Sequence, residues 1–345
     1  MKLLLAGDNF VRNDLLEQAI RARVRDELDI TSYSLPWPEV PFGRVAEVEE
    51  ASDCEDAIAE RIGDVEVVVT QMAPLTVRMI GLARSLRLIV CTRGGPVNVN
   101  IGAATQRGIA VSITPGRNAT AAAEYTLLLM LAAMRRLPVA HTSLTAGEWR
   151  SEMYAYTECG GEISGSVVGI IGFGEIGRRV AASVLAVGGQ VLAHDPFVAR
   201  ESLPDGVELV ELNELLERAD VVTLHARLTR ETRAMIGPAE LARIKPGAVL
   251  VNTARGALLD YDAAAAALLS GRLRGLALDV FPEEPVPPTS PLLKLPGVVL
   301  SPHLAGATRE TAHRAASIAA LELHRYAAGE PLHHVVNGVD PRAVR

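Results

Sequence analysis

Three short segments carry side chains able to move a proton and grip an anion, and each follows an apolar, strand-like run. Val249-Leu250-Val251-Asn252-Thr253-Ala254-Arg255-Gly256 ends on an arginine turn. Leu276–Pro285 carries Asp279 at a strand end and Glu284 in a proline-stiffened loop. Val298–Thr308 carries His303 after a proline, just before a glycine-containing turn into a helix. Reducing a carbonyl needs a proton donor for the developing alkoxide, and histidine, with a reference pKa of about 6.5, suits that task near neutral pH. A carboxylate beside such a ring favours its protonated form and fixes its orientation. An arginine offers a planar fork to a carboxylate or to the adjacent carbonyl oxygen. A nicotinamide would bring the hydride, so the protein need only orient and polarise. Each residue also has a plainer reading: an arginine past a strand is equally a surface residue in a turn, and a lone histidine is usually structural. What lifts the trio is that all three reach the same edge of one sheet. No Cys/His/Asp cluster has metal-ligand spacing.

A fourth segment supplies the site for such a cofactor. Val167-Val168-Gly169-Ile170-Ile171 runs into Gly172-Phe173-Gly174-Glu175-Ile176-Gly177, a helix-like pattern follows, and Gln190–His194 ends on Asp195, 18 residues past Gly177. Gly172 permits a tight turn, Gly174 lets the backbone approach a pyrophosphate, and Gly177 lets helix and strand pack closely. The helix N-terminus offers free N–H groups to phosphates. Asp195 can accept from both adenosine ribose hydroxyls and would repel a 2′-phosphate. Pro196 and Phe197 add no cation, so NAD is expected rather than NADP.

The elements that position these residues alternate between strand and helix. From Ser166 onward, strands are expected near 167–171, 190–194, 220–224, 248–252, 275–278 and 297–300, which makes a doubly wound parallel sheet. The opening segment is a smaller α/β layer: a strand at Lys2–Ala6, a helix face from Val11 to Leu28, then strands at 66–70, 87–92 and 109–113 with short helices between. A long alanine- and leucine-rich helix is expected from Ala119 to Leu137, and a closing helix from Ala307 to Ala327. Trp149, Tyr154 and Tyr156 crowd into 147–162 although aromatics make up only 4% of the chain. That segment is either an arm for a partner subunit or a loop packed on its own domain.

Composition narrows the class. At 345 residues, two domains are expected. No apolar run is long enough to span a bilayer, and Met1–Asp8 reads as a first strand, too short for a signal peptide. Three scattered cysteines form no disulfide framework, which points to the cytoplasm. A net charge of −7 argues against a broad nucleic-acid surface.

Over nearly its whole length the chain resembles the D-isomer-specific 2-hydroxyacid dehydrogenases. The resemblance is carried by Gly172–Gly177 with Asp195, Val222-Thr223-Leu224-His225 with Leu228–Arg233, Asn252–Gly256, Leu278–Pro285 and Ser301–Thr308. It implies that Arg255 holds substrate, that His303 is the general acid/base and that Glu284, not Glu283, is its carboxylate partner. It further implies that Asp279 bonds the nicotinamide carboxamide and that Glu175 and Ile176 cover the pyrophosphate through their backbone. Thr253 and Ala254 line the cofactor cleft, and His225 falls in a cofactor-binding motif. Gly94 and Gly95 present backbone N–H groups to a small 2-oxoacid or 2-hydroxyacid. The implied architecture is a Rossmann-type domain (113–306) inserted in a smaller flavodoxin-like α/β domain (1–112 and 307–345), the active site in the cleft, and a homodimer built through the NAD-binding domain.

Departures from the family's pattern bear on the substrate. Arg93 is not a general family feature and is expected either to add a second anion grip or to form a surface ion pair. Met72 stands where phosphoglycerate dehydrogenases place an arginine for phosphate. Asn100 replaces a common aspartate helix cap with another good cap. Arg227 replaces a proline near the expected adenine site. The leading expectation is an NAD-dependent D-2-hydroxyacid dehydrogenase or 2-oxoacid reductase. A short phosphoglycerate dehydrogenase and a nicotinamide-sensing, corepressor-like protein are the alternatives, and Glu284 argues against a formate dehydrogenase.

Overall fold

The structure is a computed structural model that describes residues 1–342. The chain divides into two units, Met1–Asn118 with Ala307–Arg345, and Ala119–Gly306. Positions 343–345, which the sequence expectation places in the smaller domain, lie outside the described residues.

The first unit contains strands Lys2–Ala6 (β1), Asp29–Ser32 (β2), Gly43–Val45 (β3), Val48–Ala51 (β4), Val67–Thr70 (β5), Leu88–Cys91 (β6) and Ala110–Ile113 (β7). Five of them form a parallel sheet in the order β2-β1-β5-β6-β7, while β3 and β4 pair apart as an antiparallel hairpin. Counted within the sheet this is the flavodoxin-like order 2-1-3-4-5. Alternate side chains supply two cores. Leu3, Leu5, Val67, Val69, Leu88 and Val90 face helix Asn13–Arg21 (α1) and the closing helix Arg309–Ala327. Leu4, Val68, Ile89 and Val111 face the helices Glu55–Ile62 (α2), Val77–Leu82 (α3) and Ile101–Gln106 (α4). Asn100 caps α4 by accepting from Ala103 N–H at 2.9 Å.

The second unit begins with helix Ala119–Met134 (α5), then Leu137–Thr145 (α6). Its sheet holds Val167–Ile171 (β8), Gln190–His194 (β9), Val207–Leu209 (β10), Val221–Leu224 (β11), Ala248–Asn252 (β12), Leu273–Leu278 (β13) and Val298–Leu300 (β14). All seven are parallel, in the order β10-β9-β8-β11-β12-β13-β14. The order reverses between β8 and β11, the switch point beyond which such sheets bind ligands. Helix Glu175–Ala186 (α7) and α5 cover one face through Val180, Val184, Leu129 and Met130. Helices Leu212–Arg218 (α8), Pro238–Arg243 (α9) and Tyr261–Leu269 (α10) cover the other through Leu215, Leu216, Leu241 and Leu268.

Several elements differ from the sequence expectation. Helix α1 stops at Arg21; Val24 and Leu28 still reach the core, but from the irregular loop that leads to β2. Strands β2, β3, β4 and β10 have no counterpart in the expected pattern. The helix expected to run to Leu137 ends at Met134, because Arg136 turns left-handed (φ 51°) and a new helix, α6, begins at Leu137 with Pro138 in its first turn. The first unit extends to Asn118 rather than 112: Thr114 N–H bonds the Arg93 carbonyl (2.9 Å) and Arg314 Nε bonds the Arg117 carbonyl (2.7 Å). Among the described residues no helix is long and apolar enough to cross a membrane.

Candidate active site

The glycine turn sits at the switch point, and its three glycines answer to three different constraints. Gly172 has φ +94°, and a Cβ there would lie 2.5 Å from Ala226 N. Gly177 would drive a Cβ to 2.3 Å from the Gly172 carbonyl oxygen, which is the close approach of α7 to β8. Around Gly174 a Cβ would meet nothing within 4 Å. That open approach leads directly onto the first turn of α7, which has no side-chain cap, so the N–H groups at Glu175 and Ile176 are left for a ligand. Asp195 stands at the end of β9 and braces the turn: Oδ2 accepts from Phe173 N–H (2.8 Å) and Oδ1 from Phe197 N–H (2.9 Å). An open glycine before an uncapped helix, with a carboxylate at the neighbouring strand end, fits a dinucleotide.

His303 and Glu284 meet. Nδ1 of the ring lies 2.6 Å from Glu284 Oε2, while Oε1 accepts from Phe281 N–H at 2.9 Å. Glu283 is exposed and has no such role. The pairing engages Nδ1, and among the described residues Nε2 has no hydrogen-bond partner. The backbone at His303 is left-handed (φ 55°), a conformation costly for a residue with a Cβ. Asp279 holds it there. The Asp279 carbonyl accepts from His303 N–H (2.8 Å), and its carboxylate accepts from Ser301 Oγ (2.6 Å), Leu304 N–H (2.8 Å) and Ala305 N–H (2.8 Å). Burial pushes the Asp279 carboxyl above its ordinary pKa, opposed by those hydrogen bonds.

Arg255 is exposed at the tip of the turn after β12; its guanidinium bonds the Ala254 carbonyl (2.7 Å), and among the described residues no carboxylate pairs with it. Asn252 fixes that turn, accepting from Ala254 N–H (3.1 Å) and donating to the Arg255 carbonyl (3.0 Å). Thr253 is buried and its hydroxyl meets that of Thr126 on α5 at 2.8 Å, while Ala254 remains half-buried. His225 follows β11 with Nε2 3.0 Å from Thr223 Oγ1, and burial pushes its pKa down to about 4, so the ring is neutral at working pH.

Gly94 and Gly95 lie in the first unit, and a Cβ on either would meet nothing within 4 Å. Arg93 is held inside the first unit rather than in a surface pair. Its side chain is largely buried, its Nη2 ion-pairs with Glu50, and its Nη1 reaches the Glu50 carbonyl (3.2 Å) and Met72 Sδ (3.4 Å). Two residues near the trio were not singled out from sequence. Ser301 bonds Asp279, and Tyr261 is buried beneath the Arg255 and Glu284 loops. The available signal for Tyr261 was isolation: it is the one aromatic residue between Phe197 and Phe281, at the mouth of an alanine-rich helix.

A switch-point glycine turn after β8 and a histidine–carboxylate pair on the loops after β13 and β14 belong to one parallel sheet, and together they define the class: a dinucleotide-binding domain with a histidine–carboxylate pair of its own. Residues 127–305 match the family model described as D-isomer specific 2-hydroxyacid dehydrogenase, NAD binding domain. The chain is 38% identical over 296 residues to a D-3-phosphoglycerate dehydrogenase of Archaeoglobus fulgidus, covering 86% of this chain and 55% of that protein. It is 38% identical over 292 residues to a glyoxylate reductase of Korarchaeum cryptofilum, covering 84% of this chain and 88% of that protein. A crystal structure of a Thermus thermophilus protein superposes with a TM-score of 0.81 at 32% identity, covering 97% of this chain and 100% of that one. The chain belongs to the D-isomer specific 2-hydroxyacid dehydrogenase family, and its second unit contains the family's NAD-binding domain. It spans about half the length of the phosphoglycerate dehydrogenases it matches.

Proposed function

We propose that this chain is an NAD-dependent oxidoreductase that interconverts a small 2-oxoacid and the D-2-hydroxyacid. The observation that carries the reading is the His303–Glu284 pair at 2.6 Å, held by Asp279 on the same sheet as the nucleotide turn. The glycine turn Gly172–Gly177 and Asp195 would hold NADH, which would supply the hydride for substrate C2. His303 then delivers a proton from Nε2 to the developing alkoxide, and Glu284, fixed by Phe281 N–H, keeps the ring in register. Arg255, which has no carboxylate partner among the described residues, grips the substrate carboxylate or its carbonyl oxygen. Gly94 and Gly95 are carried over from the family resemblance as backbone donors to substrate. Asp279 orients the nicotinamide carboxamide, while Thr253, Ala254 and His225 line the cofactor's path. Asp195 takes the ribose hydroxyls, so NAD is favoured over NADP.

A D-3-phosphoglycerate substrate is the runner-up, favoured by the names of several relatives. Against it stands the commitment of Arg93 to Glu50, which leaves that guanidinium paired rather than free for a phosphate. The test is NADH oxidation with glyoxylate, hydroxypyruvate, pyruvate, 2-oxoglutarate and longer sugar-derived 2-oxoacids, and NAD reduction with 3-phosphoglycerate. Turnover of at least one non-phosphorylated 2-oxoacid is expected. Tight NADH binding without turnover of any of them, together with a protein partner, would favour the corepressor-like alternative. The active form is a homodimer through the NAD-binding domain, supported by the exposed aromatics of 147–162. Cys54, Cys91 and Cys159 are all free thiols, which suits a reducing cytoplasm.

A further inference from the structure

We propose that Tyr261 is a positioning residue that couples the arginine turn to the loop carrying Glu284; the proposal rests on the reading of Arg255, Glu284 and His303 as the reacting group. Tyr261 opens α10, just after Asp260, whose side chain caps that helix by accepting from Ala263 N–H at 3.0 Å. Its ring is buried and leans on Phe281, the centroids 6.4 Å apart. Its hydroxyl donates to the Val280 carbonyl and accepts from Asn252 Nδ2 at 3.4 Å. Asn252 Nδ2 also donates to the Arg255 carbonyl. On the other side, the residue after Val280 is Phe281, whose N–H holds Glu284 Oε1. A hydrogen-bonded path therefore runs from the backbone of Arg255 through Asn252 and Tyr261 to the Val280–Phe281 peptide, and on through Glu284 to the His303 ring.

The two loops also touch directly. A Cβ on Gly256 would lie 2.0 Å from the Phe281 carbonyl oxygen, so their backbones are in close contact one residue beyond Arg255. That contact sets distance, but it carries no direction. Hydrogen bonds do: the Asp279 N–H bonds the Asn252 carbonyl at the strand ends (3.0 Å), and the Tyr261 side chain bonds both sides beyond it. Its hydroxyl is pushed above the ordinary phenol range, by burial first and by the Glu284 charge in addition, so it stays a neutral donor.

The experiment pairs hydrogen exchange with a double-mutant cycle on Tyr261→Phe, which keeps the ring and removes one oxygen. In full-length protein, amides in 253–257 and 279–285 should exchange faster, while the rest of α10 is unchanged. This readout does not need turnover, so it decides the coupling even if no substrate is reduced and the proposed function falls. Faster exchange in only one of the two segments, or in neither, overturns the coupling. In the active enzyme kcat should fall about tenfold with NADH affinity unchanged, and Tyr261→Phe should cost nothing further in a Glu284→Gln background. A cost that simply adds to that of Glu284→Gln would show a general structural role and overturn the proposal.

Discussion

His303 is the residue on which the proposed chemistry turns, and its surroundings separate catalysis from binding. Its ring bonds Glu284, and its backbone is held by Asp279, so removing the imidazole leaves the loop's other anchors in place. His303→Ala should therefore cut turnover by about 10²–10⁴-fold, the usual contribution of general acid–base catalysis. NADH titration by fluorescence should show nearly unchanged affinity. Near-normal turnover would remove His303 from the mechanism. Asp195 tests the other end of the site. Both its oxygens accept backbone N–H groups of the glycine turn and the following loop, so Asp195→Ala loses a brace as well as the proposed ribose acceptor. KM for NAD should rise and the preference over NADP should shrink; an unchanged ratio of kcat/KM for the two cofactors would count against the ribose role.

Elements show what could be read from sequence and what could not. The buried parallel strands were legible because their runs are apolar on both faces, as in Val67-Val68-Val69 and Val249-Leu250-Val251. The glycine turn was legible because its constraints are local to a few residues. Strands β2 and β10 were not: each is a short edge strand with charged or polar positions and little core pattern. The hairpin β3–β4 was equally illegible, and that hid the partner of Arg93. Glu50 lies on β4, 43 residues from Arg93, so the ion pair that occupies Arg93 had no sequence signal. The choice of Glu284 over Glu283 came only from the family pattern; the geometry of the Phe281–Glu284 turn is what aims one acid at His303.

Two predictions belong to this scale. Gly256→Ala forces a Cβ onto the Phe281 carbonyl, so the turn must shift; a loss of about 1–3 kcal/mol is expected from such overpacking, read by denaturant unfolding, with activity falling too. Asp8, buried past the end of β1, has its pKa raised to about 6, mainly by burial, and backbone N–H bonds from Val11 and Phe10 only partly offset this. A carboxyl whose folded pKa is raised supports the fold while protonated, and that support is lost as pH rises from about 4 through about 6. Asp8→Asn keeps an acceptor for both N–H groups but cannot ionise. The difference in Tm between variant and parent should grow in the variant's favour from pH 4.5 to pH 8. A difference independent of pH would refute the burial argument.

At the scale of the whole molecule, the second unit has an unsatisfied surface. Leu128 and Leu131 on α5 and Leu137 and Leu144 on α6 are exposed, and the segment that follows leaves Trp149, Tyr154 and Tyr156 80%, 92% and 95% exposed. Single exposed leucines need no explanation, but leucines on consecutive helices followed by three aromatics, in a chain so poor in them, do. Aromatic side chains bury 150–250 Å² each, so three of them account for much of the roughly 800 Å² per partner that a stable interface requires. The same segment is tied to its own unit by Arg136 to Glu158 (2.8 Å) and by Arg274 to the Glu158 carbonyl (3.2 Å), which gives the arm a fixed root. A rooted arm with bare aromatics is suited to reach across a two-fold axis, where each copy offers the same surface to the other. Sedimentation equilibrium should give a dimer for the wild-type chain. Replacing Trp149, Tyr154 and Tyr156 together by serine should weaken that dimer at least a hundredfold, with far-UV circular dichroism unchanged because the three side chains support no core. A wild-type monomer at micromolar concentration, or a triple variant that dimerises as before, would mean that the arm does not make the interface.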